Sequence, residues 1–152
     1  MENLQDKAVA LHAAGSNCAQ SVLCAFSDEI GFDAVQAHRF STCLGAGLGR
    51  RQLLCGAVSG GAMALGAALG NDSGADLAAK ERCYGLVAAF VGAIEAEFGC
   101  SDCRGLLGVD LNTEEGRAEH QARGLGQAVC NRVIRRSVEL VAATISAERG
   151  GI

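Results

Sequence analysis

Apolar residues recur at intervals of three and four positions along most of this chain, which is the spacing of one face of an α-helix. Three helices are predicted at the N-terminal end. The first ends at Gly15, and the second extends from its cap Asn17 to Gly31. The third begins after Asp33. Their inward-facing residues are expected to be Leu4, Ala8, Leu11, Val22, Leu23, Phe26, Ile30, Val35 and Phe40.

Longer helices are predicted in the rest of the chain. One begins at Cys55 and runs to about Gly70, and the next runs from about Asp76 to Phe98. The last runs from about Leu125 to Glu148, and the glycines after it are expected to end it. These two glycines are Gly150 and Gly151.

Short segments join the helices. "GAGLG" at 45–49 is predicted to be a loop, and "NDSG" at 71–74 a turn. "CSDCRGLLG" at 100–108 is predicted to be a short helical piece. Asn112 and Glu115 have the spacing of a capping box at the start of a further helix.

Composition supports a helical fold. The chain has 152 residues, of which 49% are hydrophobic and 20% charged, and this balance is typical of a globular protein. It contains no proline and few aromatic residues, and 21 glycines serve as breaks between elements. We therefore predict one cysteine-rich domain over residues 1–152, folded as an all-α bundle of five to seven helices.

Charge and hydropathy exclude several partners. The net charge is −4 and there is no basic stripe, so nucleic acid is not expected to bind. The stretch from Gln52 to Asn71 carries no charge, but alanine and glycine dominate it. This favours a buried central helix over a membrane span. The start "MENLQDK" does not resemble a signal peptide, so a reducing, cytoplasmic location is predicted.

Eight cysteines are the main candidates for chemistry. In a reducing compartment, so many thiols indicate metal or redox chemistry more than structural disulfides, although about half are expected to be small core residues. Cys18, Cys55 and Cys103 lie near predicted helix N-termini, where backbone N–H groups favour a thiolate and lower its pKa. Nearby arginines would add to this effect, unless they are solvated surface charges: Arg50, Arg51, Arg104 and Arg132.

Other motifs are weaker. Cys100 and Cys103 form one CxxC, which is either a redox dithiol or half of a metal site. The three histidines, His12, His38 and His120, have no metal-binding spacing and are expected to be surface or hydrogen-bonded residues. Phosphate-binding glycine motifs and a carboxylate pair suited to acid–base catalysis are lacking, so we assign no substrate turnover.

Small residues occupy one face of the Cys55 helix. Gly56, Gly60 and Ala64 recur every four positions, which lets another helix or a bulky group approach the backbone closely. We predict that Gly56 and Gly60 make room for a cofactor beside Cys55. Tight packing of helices is the alternative, and a partner helix on this face would make a homo-oligomer.

The segments around these cysteines resemble a known family, the redox-active proteins named for their C-GCAxxG-C-C pattern. The matching segments are "SNCAQSVLCAF", "CGAVSGGAMALG", "FGCSDCRGLLG" and "AVCNRV", which extend from position 16 to position 133. One departure is the order of Cys55 and Gly56, because the family label writes glycine before cysteine.

The resemblance implies a small helical protein with a redox role and four family cysteines. Similar domains occur in redox proteins that also carry iron. Carried over to this chain, the four are Cys18, Cys55, Cys103 and Cys130. The remaining cysteines would be particular to this chain, with no role assigned: Cys24, Cys43, Cys83 and Cys100.

Three functions are compatible with these residues. In the first, the four family cysteines converge and bind a metal centre, above all an iron–sulfur cluster, which exchanges electrons with a redox partner protein. In the second, two thiols form a metal-free thiol–disulfide couple, for which Cys100 and Cys103 are the obvious local pair. In the third, the bundle is structural or stores a soft metal such as zinc or copper.

Overall fold

The computed structural model describes residues 3–150. This part of the chain folds into nine right-handed α-helices and contains no β-strand. Their bounds are α1 Leu4–Ala13, α2 Cys18–Ala25, α3 Ser27–Ile30, α4 Ala34–Ser41, α5 Gly56–Leu69, α6 Leu77–Phe98, α7 Cys103–Leu107, α8 Glu114–Ala122 and α9 Asn131–Gly150. A 3₁₀ turn at Thr42–Leu44 follows α4, and a π-helical turn at Gly126–Cys130 leads into α9.

The all-α fold is confirmed, but the helices are more numerous than the expected five to seven. The predicted second helix divides at Phe26. This residue (φ −87°, ψ 0°) lies between the last residue of α2 and the first residue of α3 and caps both helices. The short helices α7 and α8 also count separately. The last predicted helix begins with a π-helical turn, and its final residue is Gly150. Gly151 lies outside the described residues.

Helix α5 is the buried centre of the bundle. It packs against α2, α6 and α9, and α1 packs across α2 and α9. This arrangement confirms the uncharged stretch as a central helix. The core is built from fully buried aliphatic side chains: Val22, Val58, Leu65, Ile94, Ile134 and Val141. Within residues 3–150, no helix is long and apolar enough to cross a membrane.

The prediction for α4 was wrong. Val35 is 71% exposed and Phe40 is 69% exposed, whereas both were expected to face inward. Ala37 and Ser41, which lie four positions apart on the opposite face, are buried instead. Because α4 meets the bundle through these small residues, its large apolar side chains are left on the outside.

Side chains cap the helices largely as the sequence indicates. The Asn17 side chain accepts a hydrogen bond from the backbone N–H of Gln20, whose own side chain accepts one from the Asn17 backbone, and this completes a capping box. Asp33 and Asp76 cap α4 and α6. Helix α8 is the exception, because Thr113 caps it through the Gly116 N–H and the predicted cap Asn112 does not.

The predicted loop at 45–49 has an unusual backbone. Five consecutive residues, 46–50, have positive φ angles and form a left-handed turn, and Gln52 has a positive φ as well. Three residues of the turn are not glycine, namely Ala46, Leu48 and Arg50. The left-handed conformation costs such residues about 1–2 kcal/mol each. Gly47 is required here, since a Cβ would lie 2.6 Å from the backbone N of Leu53.

Candidate functional site

The four family cysteines are held at ends of helices. Cys18 is the first residue of α2, Cys103 is the first residue of α7, and Cys55 precedes the first residue of α5. Cys130 ends the π-helical turn before α9. All four line one cavity of about 30 Å³, together with apolar residues that include Ala46 from the left-handed turn. The structure therefore brings together residues that are far apart in the sequence.

Backbone hydrogen bonds fasten the start of α5 to the start of α7. The Cys55 N–H donates to the Ser101 carbonyl over 2.8 Å, and the Cys103 N–H donates to the Leu53 carbonyl over 2.7 Å. Gln52 strengthens this junction through its buried side chain, which donates to the Val109 carbonyl over 2.9 Å and accepts from the Leu111 N–H over 2.8 Å. The spacing between Cys55 and Cys103 is thus set by a paired backbone.

The glycines of α5 bring α2 close. A Cβ at Gly60 would lie 2.5 Å from the Ala19 carbonyl oxygen, and one at Gly56 would lie 3.0 Å from the Ala19 nitrogen. The space beside Gly60 is therefore filled by α2, which is the tight packing that was the alternative interpretation. Gly56 also borders the cysteine cavity. A cofactor beside these glycines stays a prediction.

Burial controls the ionisation of two cavity thiols. Burial raises the pKa of Cys55 to about 11, although the N–H groups of Ala57 and Val58 hydrogen-bond to its sulfur and act in the opposite direction. Burial also raises the pKa of Cys103 to about 12, with a further contribution from Cys55. The expectation of lowered pKa values at these helix N-termini was wrong, because desolvation of the thiolate outweighs the helix end.

Cys18 and Cys130 behave as a pair. The hydrogen bond with Cys130, followed by burial, raises the pKa of Cys18 well above its ordinary value. The same hydrogen bond lowers the pKa of Cys130. The two thiols therefore titrate together, and the pair loses its first proton far more easily than its second. The lowered pKa that the sequence predicted for Cys18 is found on Cys130 instead.

A histidine that the sequence did not single out lies beside this pair. His12 Nε2 is 3.9 Å from Cys18 Sγ, and His12 Nδ1 is 2.8 Å from Asn131 Oδ1. Because the amide oxygen can only accept, His12 donates from Nδ1, which leaves Nε2 free to accept from the thiol. The only signal in the sequence is that His12 precedes Cys18 by six residues, with a turn at Gly15 between them.

The arginines near the cysteines are surface charges. Arg104 forms an ion pair with Asp110 at 3.3 Å, and the Arg132 guanidinium lies 5.7 Å from the centre of the Phe98 ring. Arg50 and Arg51 are exposed. None of them is among the main causes of the pKa shifts of the cavity thiols. The solvated alternative therefore holds.

The other four cysteines have separate surroundings. Cys24 is buried and its thiol donates to the Ala34 carbonyl, Cys83 donates to the Leu69 carbonyl, and Cys43 is exposed. Cys100 is half-buried beside the cavity without lining it. All eight cysteines lie within residues 3–150 and are free thiols. As these side chains stand, no three cysteine, histidine or carboxylate groups in that range are placed to hold a metal ion.

The fold and the site define a small all-α thiol protein, in which cysteines from four separate segments meet at one buried cavity. The chain belongs to the family described as "Putative redox-active protein (C_GCAxxG_C_C)", which matches residues 16–144. The resemblance noted in the sequence is thus confirmed, and membership supports a redox role. No curated protein and no solved structure matches the chain.

Proposed function

We propose that this protein is a two-electron thiol–disulfide carrier and that Cys18 and Cys130 are its dithiol. The observation that carries this proposal is that both cysteines line the same cavity, where their mutual influence lowers the pKa of Cys130 and raises that of Cys18. The thiolate is the form that attacks a disulfide, so one member of the pair is prepared to react.

The redox step exchanges one disulfide for another. A bond forms between Cys18 Sγ and Cys130 Sγ, and the two electrons reduce an external disulfide to two thiols. The two protons that leave the cysteines are taken up by these new thiols, so atoms and electrons balance. The external disulfide belongs to a redox partner protein or to a small molecule of the cell's thiol pool. The reverse reaction regenerates the dithiol.

The proposal is tested by equilibrating the protein with mixtures of reduced and oxidised glutathione. After acid quenching and alkylation, peptide mass spectrometry should identify a disulfide between Cys18 and Cys130, formed in a two-electron transition. The variants Cys18→Ser and Cys130→Ser should abolish the transition, whereas Cys43→Ser, which removes an exposed thiol, should preserve it. A protein that keeps both thiols free in every mixture would overturn the proposal.

A thiolate-bound metal centre is the second candidate. It is favoured by the fact that the four family cysteines line the same cavity, since thiolates prefer zinc, copper(I) and iron–sulfur clusters. A cavity of about 30 Å³ has room for about one or two water molecules. A single ion suits this volume once the thiols turn inward, whereas an iron–sulfur cluster does not fit unless the helix ends move apart. Such a centre would supply one-electron transfer or rigid cross-linking.

Metal analysis separates the two candidates. An anaerobic preparation is analysed for iron, zinc, copper and acid-labile sulfide, and its thiols are counted with a chromogenic disulfide. About one metal ion for each chain, lost in Cys55→Ser and retained in Cys43→Ser, would support the metal centre. Metal-free protein with all eight thiols titratable after unfolding would support the dithiol.

A further inference from the structure

The CxxC segment connects the surface with the cavity. Cys103 lines the cavity and is only 8% exposed. Cys100 lies two residues before the helix cap Asp102, is half-buried and does not line the cavity. The two ends of the motif therefore have different surroundings, because Cys100 is half-buried outside the cavity lining and Cys103 is buried within it.

The backbone holds the Cys100 sulfur near the cavity thiols. A Cβ at Gly105 would lie 2.8 Å from Cys100 Sγ, so this sulfur rests over the same helical turn that begins with Cys103. The next residue, Ser101, accepts the hydrogen bond from the Cys55 N–H. An ionised Cys100 raises the pKa of Cys55, which is a further sign that these sulfurs are close.

We propose that Cys100 is the entry thiol, which reacts with external disulfides and passes the oxidation through the buried Cys103 to the pair formed by Cys18 and Cys130. This inference depends on the proposed thiol–disulfide function and adds the route by which the dithiol at the cavity exchanges with a disulfide outside. It gives a role to a cysteine that lies outside the four of the family pattern.

The route consists of disulfide exchanges only. The Cys100 thiolate attacks an external disulfide, forms a mixed disulfide and releases one thiol. Cys103 attacks the Cys100 sulfur and releases the second thiol, which leaves a disulfide between Cys100 and Cys103. Cys130 then attacks the Cys103 sulfur and frees Cys100, and Cys18 attacks the Cys130 sulfur and frees Cys103. The net change is two external thiols formed and one disulfide between Cys18 and Cys130.

Kinetics with oxidised glutathione test the route. The reduced protein is mixed with oxidised glutathione, quenched with acid at intervals and analysed for the Cys18–Cys130 disulfide. In Cys100→Ser we expect this disulfide to form at least about tenfold more slowly, while the glutathione ratio at half-oxidation stays the same, because only the route has changed. Cys43→Ser is the matched control, since it removes an exposed thiol away from the cavity lining and should keep the wild-type rate.

A trapping variant tests the first step separately. Cys103→Ser removes the thiol that resolves the mixed disulfide, so one glutathione should accumulate on Cys100. If glutathione instead attaches elsewhere, or if Cys100→Ser oxidises at the wild-type rate, the entry route is wrong and the dithiol function stands. If the wild-type protein forms no Cys18–Cys130 disulfide at all, the proposed function itself fails. Circular dichroism establishes that each variant is folded.

Discussion

The contact between α2 and α5 gives a sharp stability prediction. A Cβ at Gly60 would lie 2.5 Å from the Ala19 carbonyl oxygen and 2.9 Å from its Cα, and these backbone atoms cannot turn aside. Overpacking costs about 1–3 kcal/mol, and the better helix propensity of alanine returns about 1 kcal/mol. Because the obstacle is backbone, we take the upper end and expect Gly60→Ala to lower the free energy of unfolding by about 2 kcal/mol.

The same helix offers a matched control. Gly66 is exposed, and a Cβ there would meet no atom within 4 Å in the part of the chain that the structure describes. Gly66→Ala should therefore raise the free energy of unfolding by about 0.5–1 kcal/mol through helix propensity alone.

Urea unfolding of the reduced proteins, followed by circular dichroism, measures both variants. In thermal unfolding, a chain of this length should show a melting temperature for Gly60→Ala about 4–8 °C below that of the wild type. Equal stability of the two variants would show that α2 does not lie against Gly60. Since Cys18 begins α2, labelling of Cys18 by a thiol reagent should also accelerate in Gly60→Ala and stay unchanged in Gly66→Ala.

Three further predictions concern the surroundings of the cavity. The Asp102 carboxylate is among the causes that raise the pKa of Cys100, after burial, so Asp102→Asn, which keeps a capping side chain, should lower that pKa and speed alkylation of Cys100 near pH 8. Gln52→Leu should lower the free energy of unfolding by about 2–4 kcal/mol in urea titrations, because the buried Val109 carbonyl and the half-buried Leu111 N–H lose their partners. Stability should fall above about pH 9 by up to about 1.4 kcal/mol per pH unit for each of Cys55 and Cys103, as unfolding measured at several pH values will show.

The sign of the alkaline effect follows from proton binding. Cys55 and Cys103 keep their protons in the folded state up to about pH 11 and about pH 12, whereas the unfolded thiols ionise near their ordinary pKa. The folded state then binds more protons than the unfolded state, so raising the pH favours unfolding. A stability profile that stays flat up to pH 11 would contradict this prediction. An unchanged rate of Cys100 alkylation in Asp102→Asn would contradict the effect of the carboxylate charge. A Gln52→Leu variant as stable as the wild type would contradict the role of the Gln52 hydrogen bonds.

Features determined by neighbouring residues were predictable from the sequence. Asn17 and Asp33 are caps because a short polar side chain can satisfy the free N–H groups of the turn that follows it. Gly31 and Gly99 end helices because each adopts a positive φ. The placement of thiols at helix starts follows from these local rules, which is why the positions of Cys18, Cys55 and Cys103 on their helices were foreseen.

Features determined by packing were not predictable. The orientation of α4 depends on which of its faces meets α2, and hydropathy alone favoured Val35 and Phe40 over the small residues that are buried. The approach of His12 to Cys18 depends on the angle at which α1 returns across α2 and α9. The pKa values depend on burial, which no local pattern measures, so the helix ends that suggested thiolates at Cys55 and Cys103 were misleading.

The left-handed turn at 46–50 reverses the usual effect of substitutions. Its three residues other than glycine together give up about 3–6 kcal/mol of stability, and one of them, Ala46, forms part of the cavity wall. Glycine is the poorest helix former after proline, yet at positions 46, 48 and 50 it becomes the residue with the least conformational penalty. A saturation library over this turn should therefore rank glycine first and valine, isoleucine and proline last, whereas in the right-handed helices around it glycine ranks next to last.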